Sequence, residues 1–298
     1  MRPRVGTCPT RTPARGPSRR LGTVTPAVRP AGAPGSIAAF FDLDKTVIAR
    51  SSALAFTRPF YSGGLINRRS VIKSAYAQLL FTLTGADEDQ VEKLRAHVTD
   101  MVRGWPVDQI NSIVDETLHD IVEPLVFAEA TELIANHQAR GHDVVLISAS
   151  GMEMVQPIGD MLGVDAVRAS KMSVVDGKYS GELEFYCYGE AKAEAIRDLA
   201  AEKGYDLAEC FAYSDSVTDL PMLAEVGHPA VVNPDRALRK EAAARGWPIL
   251  AWERPVGLSD GFAPSTRTLA ISAAAGVGVA ALGAVLYYGL LRRRLTAA

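Results

Sequence analysis

Two aspartates one residue apart follow directly on a short apolar run, in the order Phe40-Phe41-Asp42-Leu43-Asp44. Open α/β sheets build their sites in this way, because ligands bind in the crevice outside the carboxyl ends of the strands. The pattern therefore indicates a catalytic site built on carboxylates, at the end of the first strand of the chain.

The short motif alone allows other interpretations, since an Asp-x-Asp-x-Thr string also fits a turn, a helix cap or a calcium loop. A calcium loop of the EF-hand type can be excluded by counting from Asp42. That loop requires glycine at its sixth position and glutamate at its twelfth, where this chain has Val47 and Ala53. The turn and cap interpretations remain open at this point.

A second apolar run, 144–151, ends in small hydroxyl residues and glycine, with Ser148, Ser150 and Gly151. Such an end offers a hydroxyl and free backbone N–H groups to an anion. An ordinary strand-to-helix turn with a serine cap is the alternative.

Two further segments complete the set. Lys192 lies at the start of a predicted helix, although most helical lysines are simply solvated. The apolar run Phe211-Ala212-Tyr213 leads into Asp215 and Asp219, which are four residues apart. A second acidic cluster at a strand end favours a site over a set of unrelated turns.

In this order, the segments FDLDKT, ISAS, GEAK and SDSVTDLPML resemble the four motifs of the haloacid dehalogenase superfamily of phosphohydrolases. The motif sequences are most similar to those of the phosphoserine-phosphatase-like branch, subclass IB, and the resemblance covers about residues 37–250. The resemblance implies an α/β fold, with a Rossmann-like parallel sheet, helices on both faces and an inserted α-helical cap. It also implies a phosphoric monoester hydrolase.

The resemblance assigns roles to the motif residues. Asp42 is expected to be the nucleophile that forms an aspartyl-phosphate. Asp44 is expected to protonate the leaving oxygen and then to activate water. Ser148 and Lys192 would bind the oxygens of the transferred phosphoryl group.

The same resemblance implies a Mg²⁺ cofactor, which suits hard oxygen ligands. The expected ligands are the Asp42 side chain, the Asp44 backbone carbonyl and the Asp215 side chain. Asp219 would lie behind these ligands and orient Lys192 or a metal-bound water.

The substrate is less defined, because this chain departs from the phosphoserine phosphatase pattern. Those enzymes place a glutamate nine positions after the nucleophile to meet the substrate ammonium, and this chain has Ser51 there. Ser214 and Thr218 also replace the usual glycine and asparagine of the last motif. A phosphoserine-like small phosphorylated substrate is expected, with a lipid-linked phosphate such as lysophosphatidate as the alternative. A non-catalytic membrane regulatory module is disfavoured, because competent residues fill all the expected catalytic positions.

The elements that position these residues follow from the apolar pattern. The catalytic core is expected at 37–50 and 126–255. The intervening 51–125 is too long for a simple βα connection and is predicted to form the cap. Helices of the cap are predicted at Ser70–Leu83, at Glu88–Val102 and after Trp105-Pro106, where apolar residues recur at helical spacing.

In the core, a helix is predicted at Glu123–Arg140, and a hairpin at Met172–Glu184 that turns at Asp176-Gly177. Further strands are predicted at Ala230–Val232 and Pro248–Ala251.

The amino-terminal 36 residues hold seven Arg, seven Pro and no Asp or Glu. This composition predicts a disordered basic arm, and binding of nucleic acid is not favoured, because charge runs are weak indications of a specific partner. The three cysteines, Cys8, Cys187 and Cys210, show no metal-ligand spacing and suit a reducing cytosol.

The stretch Leu269–Leu291 runs 23 residues without a charge and precedes three arginines in the tail 292–298. At about 1.5 Å per residue it is long enough to cross a membrane, so a single transmembrane helix is predicted after a linker at 256–268. A buried helix of a soluble protein is the alternative. The arginines would place the catalytic domain outside the cell, but the lack of a visible export signal favours the cytoplasmic side. A small-residue stripe is compatible with a homodimer through this helix, at Ser272, Gly276, Ala280 and Ala284.

Overall fold

A computed structural model of the 298-residue chain describes residues 36–66, 96 and 98–255. Within them, seven strands form one sheet in the order β4-β3-β2-β1-β5-β6-β7. Every neighbouring pair is parallel except β3 and β4, which are antiparallel. The predicted α/β class with a largely parallel sheet is confirmed.

The strands are β1 (Ala38–Phe41), β2 (Asp143–Gly151), β3 (Ala166–Val175), β4 (Lys178–Phe185), β5 (Phe211–Ser214), β6 (His228–Val232) and β7 (Ile249–Leu250). The labelled helices are α1 (Ser52–Ala55), α2 (Thr57–Ser62), α3 (Val107–Val122), α4 (Ala128–Arg140), α5 (Met152–Leu162), α6 (Glu190–Lys203), α7 (Leu220–Ala224) and α8 (Arg236–Arg245). Residues 98–102 are also helical, and short 3₁₀ turns cover Glu123–Leu125 and Val217–Asp219.

The central strands are apolar on both faces because helices cover both sides of the sheet. Ala39 and Phe41 pack into one buried cluster with α3, α4 and α5. Ala38 and Phe40 alternate with them and pack into a second cluster with α6, α7 and α8. Both phenylalanines are fully buried, and burial of such a side chain stabilises the fold by about 1.5–3 kcal/mol.

The chain leaves β1 through a tight turn that ends in the predicted cap segment. Lys45 adopts a positive φ of 64°, and the N–H groups of Val47 and Ile48 both donate to the Leu43 carbonyl. This turn brings the start of α1 back beside the end of β1. The described residues between the turn and α4 contribute α1, α2 and α3.

Several sequence predictions are confirmed. α3 begins directly after Trp105-Pro106, and the β3–β4 hairpin turns at Asp176 and Gly177, whose φ angles are 50° and 73°. The helix predicted at Ser70–Leu83 lies outside the described residues, as does most of Glu88–Val102.

The helix predicted at Glu123–Arg140 is wrong at its start. Glu123–Leu125 is a single 3₁₀ turn containing Pro124, and Val126 and Phe127 are extended before α4 begins at Ala128. The extended residues are held by tertiary contacts, because the Phe127 N–H donates to the Val47 carbonyl at 3.0 Å.

In the part of the chain that the structure describes, no helix has the length and apolar character needed to cross a membrane. The predicted span Leu269–Leu291 and the basic arm 1–35 lie outside that part.

Candidate active site

The motif residues meet because β1 lies between β2 and β5, and all three strands run in the same direction. Asp42 follows the last residue of β1, and Asp215 follows the last residue of β5. Ser148 and Ser150 are among the last four residues of β2. The Asp42 N–H donates to the Tyr213 carbonyl at 2.9 Å, which fixes the nucleophile candidate against the neighbouring strand. Sequence segments more than a hundred residues apart therefore end at one edge of the sheet.

Lys192 joins two of the predicted site carboxylates. Its Nζ atom lies 2.6 Å from Asp42 Oδ1 and 2.7 Å from Asp219 Oδ2. All three side chains are at least nine-tenths buried. Asp219 Oδ2 also accepts a hydrogen bond from the Ser214 hydroxyl at 2.7 Å. The group is thus a fully enclosed ion triad in which one ammonium serves two carboxylates.

The chain geometry before α6 makes this contact available. Gly189 has φ 58° and ψ −124°, a conformation that disfavours side chains with a Cβ. The turn starts α6 at Glu190, so that Lys192 lies in the first helical turn and is directed into the site. The lysine is therefore a buried site residue, although the sequence alone leaves it as a surface candidate.

Negative charge exceeds positive charge in this site. Burial raises the pKa of Asp42 to about 8; the charge of Lys192 opposes this increase, and the charges of Asp219 and Asp215 add to it. Burial likewise raises the pKa of Asp215 to about 6, against a lowering effect of Lys45. Burial opposes the charge of Lys192, but the charges of Asp42 and Asp219 prevail and raise its pKa. The lysine therefore keeps its proton, and Asp42 and Asp215 bind protons more tightly than exposed carboxylates do.

A divalent cation fits this donor set by its chemistry. Asp42 and Asp215 are buried carboxylates that repel each other, and hard oxygen donors of this kind suit Mg²⁺. Within residues 36–66 and 98–255, no group of three or more His, Cys, Asp or Glu side chains is arranged to hold a metal. The predicted set does not require one, because it comprises two carboxylates and the backbone carbonyl of Asp44.

Asp44 lies in a separate hydrogen-bond network. Its Oδ1 accepts from the Ser52 N–H at 2.8 Å, and its Oδ2 accepts from the Ser150 hydroxyl at 3.0 Å. The Ser51 hydroxyl is 3.5 Å from the same Oδ2, which is too long for a strong bond. The two carboxylates of the first motif thus have different partners: Asp42 has an ammonium and Asp44 has neutral donors.

Ser148, one of the phosphate-binding candidates, is connected to the Asp44 network through Ser150. Its hydroxyl is almost fully buried and accepts from the Ser150 N–H at 3.2 Å. The Ser150 hydroxyl in turn accepts from the Ser52 hydroxyl at 2.7 Å. The end of β2 therefore contacts both Asp44 and the first residue of α1.

Sequence reasoning did not identify Ser52, Ser150 or Ser214 as partners of the motif aspartates. Ser150 and Ser214 had a signal, because each is a hydroxyl residue at a strand end inside a motif. Ser52 had none, since its position beside Asp44 depends on the turn at Lys45.

Comparison with known proteins gives a family match over most of this fold. Residues 39–224 match the family model for haloacid dehalogenase-like hydrolases. A protein of Mycobacterium tuberculosis described as a probable phosphatase is 60% identical over 272 residues, covering 90% of this chain and 94% of the relative.

Two further relatives carry different descriptions. The inhibition of morphological differentiation protein of Streptomyces azureus is 56% identical over 265 residues, covering 88% of this chain and 95% of that protein. A phosphoserine phosphatase of M. tuberculosis is 35% identical over 214 residues, covering 71% and 70%.

Solved structures share the fold. A protein of unknown function from Bordetella pertussis superimposes with a TM-score of 0.64 at 24% identity, covering 72% of this chain and 98% of its own. A phosphoserine phosphatase solved as a phospho-aspartyl intermediate analogue gives 0.53 at 20% identity, covering 74% and 95%.

Proposed function

This chain belongs to the haloacid dehalogenase-like hydrolase family, and we propose that it is a magnesium-dependent phosphomonoesterase that works through an aspartyl-phosphate on Asp42. The buried triad of Lys192, Asp42 and Asp219 is the observation that carries the proposal. A buried carboxylate beside an ammonium is suited to attack an anionic substrate, because the cation offsets the repulsion between them.

The first half-reaction forms a bond between an Asp42 carboxylate oxygen and phosphorus. The bond from phosphorus to the leaving oxygen breaks, and Asp44 gives its proton to that oxygen. Lys192 and Ser148 bind the oxygens of the phosphoryl group during the transfer. Asp219, fixed by the Ser214 hydroxyl, holds Lys192 in place.

The second half-reaction hydrolyses the aspartyl-phosphate and regenerates the free enzyme. Asp44, now ionised, takes a proton from water, whose oxygen attacks phosphorus, and the bond to Asp42 breaks. Two displacements of moderate barrier replace one slow hydrolysis, since uncatalysed hydrolysis of phosphate monoesters is among the slowest reactions known.

Asp42, Asp215 and the Asp44 carbonyl would hold the Mg²⁺. When bound, the ion supplies positive charge to the phosphate oxygens and to the crowded carboxylates. This role agrees with the raised pKa values of Asp42 and Asp215, since burial and, to a smaller extent, neighbouring carboxylates disfavour their ionised forms and a bound cation would favour them.

A small phosphorylated substrate of the phosphoserine type is proposed, because one relative is described as a phosphoserine phosphatase. A lipid-linked phosphate is a second candidate. Ser51 is neutral where the phosphoserine phosphatase pattern has a glutamate, so the chain lacks that partner for a substrate ammonium. The uncharged stretch 269–291 supports the same candidate, since we propose that it anchors the chain to a membrane with the catalytic domain on the cytoplasmic side.

The proposal is tested by phosphate release from the purified full-length chain with Mg²⁺, across phosphoserine, sugar phosphates, nucleotides and lysophosphatidate. We expect turnover that disappears in Asp42→Asn, while thermal stabilisation by Mg²⁺ is partly retained through Asp215. Near-normal activity of that variant would contradict the proposal. Preference for phosphoserine by orders of magnitude over lysophosphatidate would exclude the lipid candidate.

A further inference from the structure

The general acid candidate is oriented by residues from two different parts of the fold. Ser52 is the first residue of α1, at the entry to the segment predicted as the cap, and Ser150 lies at the end of β2 in the core. Ser52 donates its N–H to one oxygen of Asp44, and Ser150 donates its hydroxyl to the other. Since both carboxylate oxygens are held, the plane of the Asp44 carboxylate is fixed.

The two serines also contact each other. The Ser52 hydroxyl, which is fully buried, lies 2.7 Å from the Ser150 hydroxyl. Ser52 therefore reaches Asp44 twice, directly through its backbone and indirectly through Ser150. The start of α1 and the end of β2 must be in their present places together for this arrangement to form.

We propose that Ser150 and Ser52 are positioning residues that orient Asp44 towards the leaving oxygen, and that they link this orientation to the placement of the start of α1 beside the end of β2. The proposal rests on the phosphatase function proposed above. The observed side-chain contacts of the two serines are with Asp44 and with each other, so the proposal has each of them act through Asp44. The Ser150 hydroxyl can both donate and accept, which lets its contact persist as Asp44 gives up a proton and later takes one back.

A positioning role has a signature that a structural role lacks. An alkyl phosphate releases a strongly basic alkoxide, so transfer to Asp42 requires the proton of Asp44. p-Nitrophenyl phosphate releases a delocalised phenolate, which leaves without a proton. A badly oriented Asp44 should therefore slow the alkyl ester and spare the aryl ester.

The test compares kcat/KM for the two esters in Ser150→Ala and Ser52→Ala, using the full-length chain with Mg²⁺. This constant reports the steps up to formation of the aspartyl-phosphate, in which Asp44 acts as the acid. Loss of a hydrogen bond to a charged group corresponds to about tenfold to a hundredfold. We expect a loss of that size in Ser150→Ala for the best alkyl substrate, with little change for p-nitrophenyl phosphate.

Ser52→Ala keeps the backbone donor to Asp44 and loses only the hydroxyl, so its effect should be smaller and in the same direction. The double variant should be no slower than Ser150→Ala, because the Ser52 hydroxyl acts through Ser150. The ratio of the two constants is measured on one preparation, so a partly unfolded variant changes both constants equally and leaves the ratio intact.

Ser170→Ala is the matched control. Ser170 is a buried serine on the neighbouring strand β3, and its hydroxyl donates to the Ala149 carbonyl without contacting Asp44. It should change both constants by the same factor. An equal loss on both esters in Ser150→Ala, or no loss on either, would overturn the positioning role. No hydrolysis of either ester by the unsubstituted chain would overturn the phosphatase proposal itself.

Discussion

Replacing Asp215 by asparagine should make the metal-free protein more stable while it greatly weakens the response to Mg²⁺. Asp215 is nine-tenths buried and follows β5 at the site. Burial and the charge of Asp219 make its ionised form unfavourable in the folded chain. Asparagine has nearly the same shape and no charge, so the substitution removes this cost.

The size of the effect follows from the pKa of Asp215, which rises from 3.8 to about 6 on folding. A difference of about two units corresponds to about 3 kcal/mol. Because the folded pKa is the higher one, the folded chain binds the proton more tightly. The cost is absent below pH 4, grows as the pH rises from about 4 to 6, and is complete above pH 6. The charge of Asp215 also raises the pKa of Asp42, so removing that charge lowers the cost of ionising Asp42 and adds to the gain in stability.

The measurement is thermal and urea unfolding of both proteins in EDTA at pH 4 and pH 8. A gain of up to about 3 kcal/mol corresponds to a higher Tm by about 6–12 °C for a domain of this size. We expect that gain at pH 8 and none at pH 4. With Mg²⁺ at pH 8, the Tm of the unsubstituted chain should rise, whereas the variant should respond little.

The control is Asp198→Asn, a solvent-exposed aspartate of α6 that lies outside the site. It should leave both the Tm and the Mg²⁺ response unchanged. A variant Asp215→Asn that is less stable than the unsubstituted chain at pH 8 without metal would refute the argument that charge crowding prepares this site for a cation. An equal gain at both pH values would refute it as well.

Two further predictions concern other parts of the chain. Burial, His142 and Arg140 lower the pKa of His137 from 6.5 to about 4. The unfolded chain therefore binds this proton more tightly than the folded chain does. The free energy of unfolding should fall by about 3 kcal/mol between pH 7 and pH 4. In His137→Phe this share of the pH dependence should be missing from urea unfolding curves, and an unchanged difference between the two pH values would contradict it. The full chain should sediment with membranes and require detergent for release, whereas a chain ending at residue 262 should stay in the supernatant; equal partitioning of the two would contradict the predicted span at 269–291.

Much of the fold could be predicted from the sequence because its signals are local. Apolar runs that end abruptly in polar residues predicted β1, β2 and β5, and Asp176-Gly177 predicted a tight hairpin. Motif order then placed the ends of those strands together, since parallel neighbours end at the same edge of a sheet.

Other features depend on tertiary contacts and have no local signal. The stretch after Pro124 has a helical pattern, yet Phe127 is extended because its N–H pairs with the Val47 carbonyl. The burial of Lys192 also has no local signal in the sequence, since a lysine early in a helix is usually exposed. The sequence could place it near the site, but only the packing of α6 shows that its ammonium is shared by two carboxylates.

The two aspartates of the first motif have the same side chain and lie two residues apart, so the different roles that we propose for them must come from their surroundings. Asp42 is buried against Lys192, whose positive charge opposes the rise of the Asp42 pKa and favours the ionised form that the proposed attack on phosphorus requires. Asp44 accepts hydrogen bonds from the N–H of Ser52 and the hydroxyl of Ser150, with the Ser51 hydroxyl further away at 3.5 Å; all three are neutral groups that can pair with a carboxyl in either protonation state. A nucleophile needs the first environment, and a group that must give and then take a proton needs the second. In the proposed mechanism, exchanging the two environments would disable both half-reactions, so we expect the contacts of Ser150 and of Lys192 to be separate requirements of the same site.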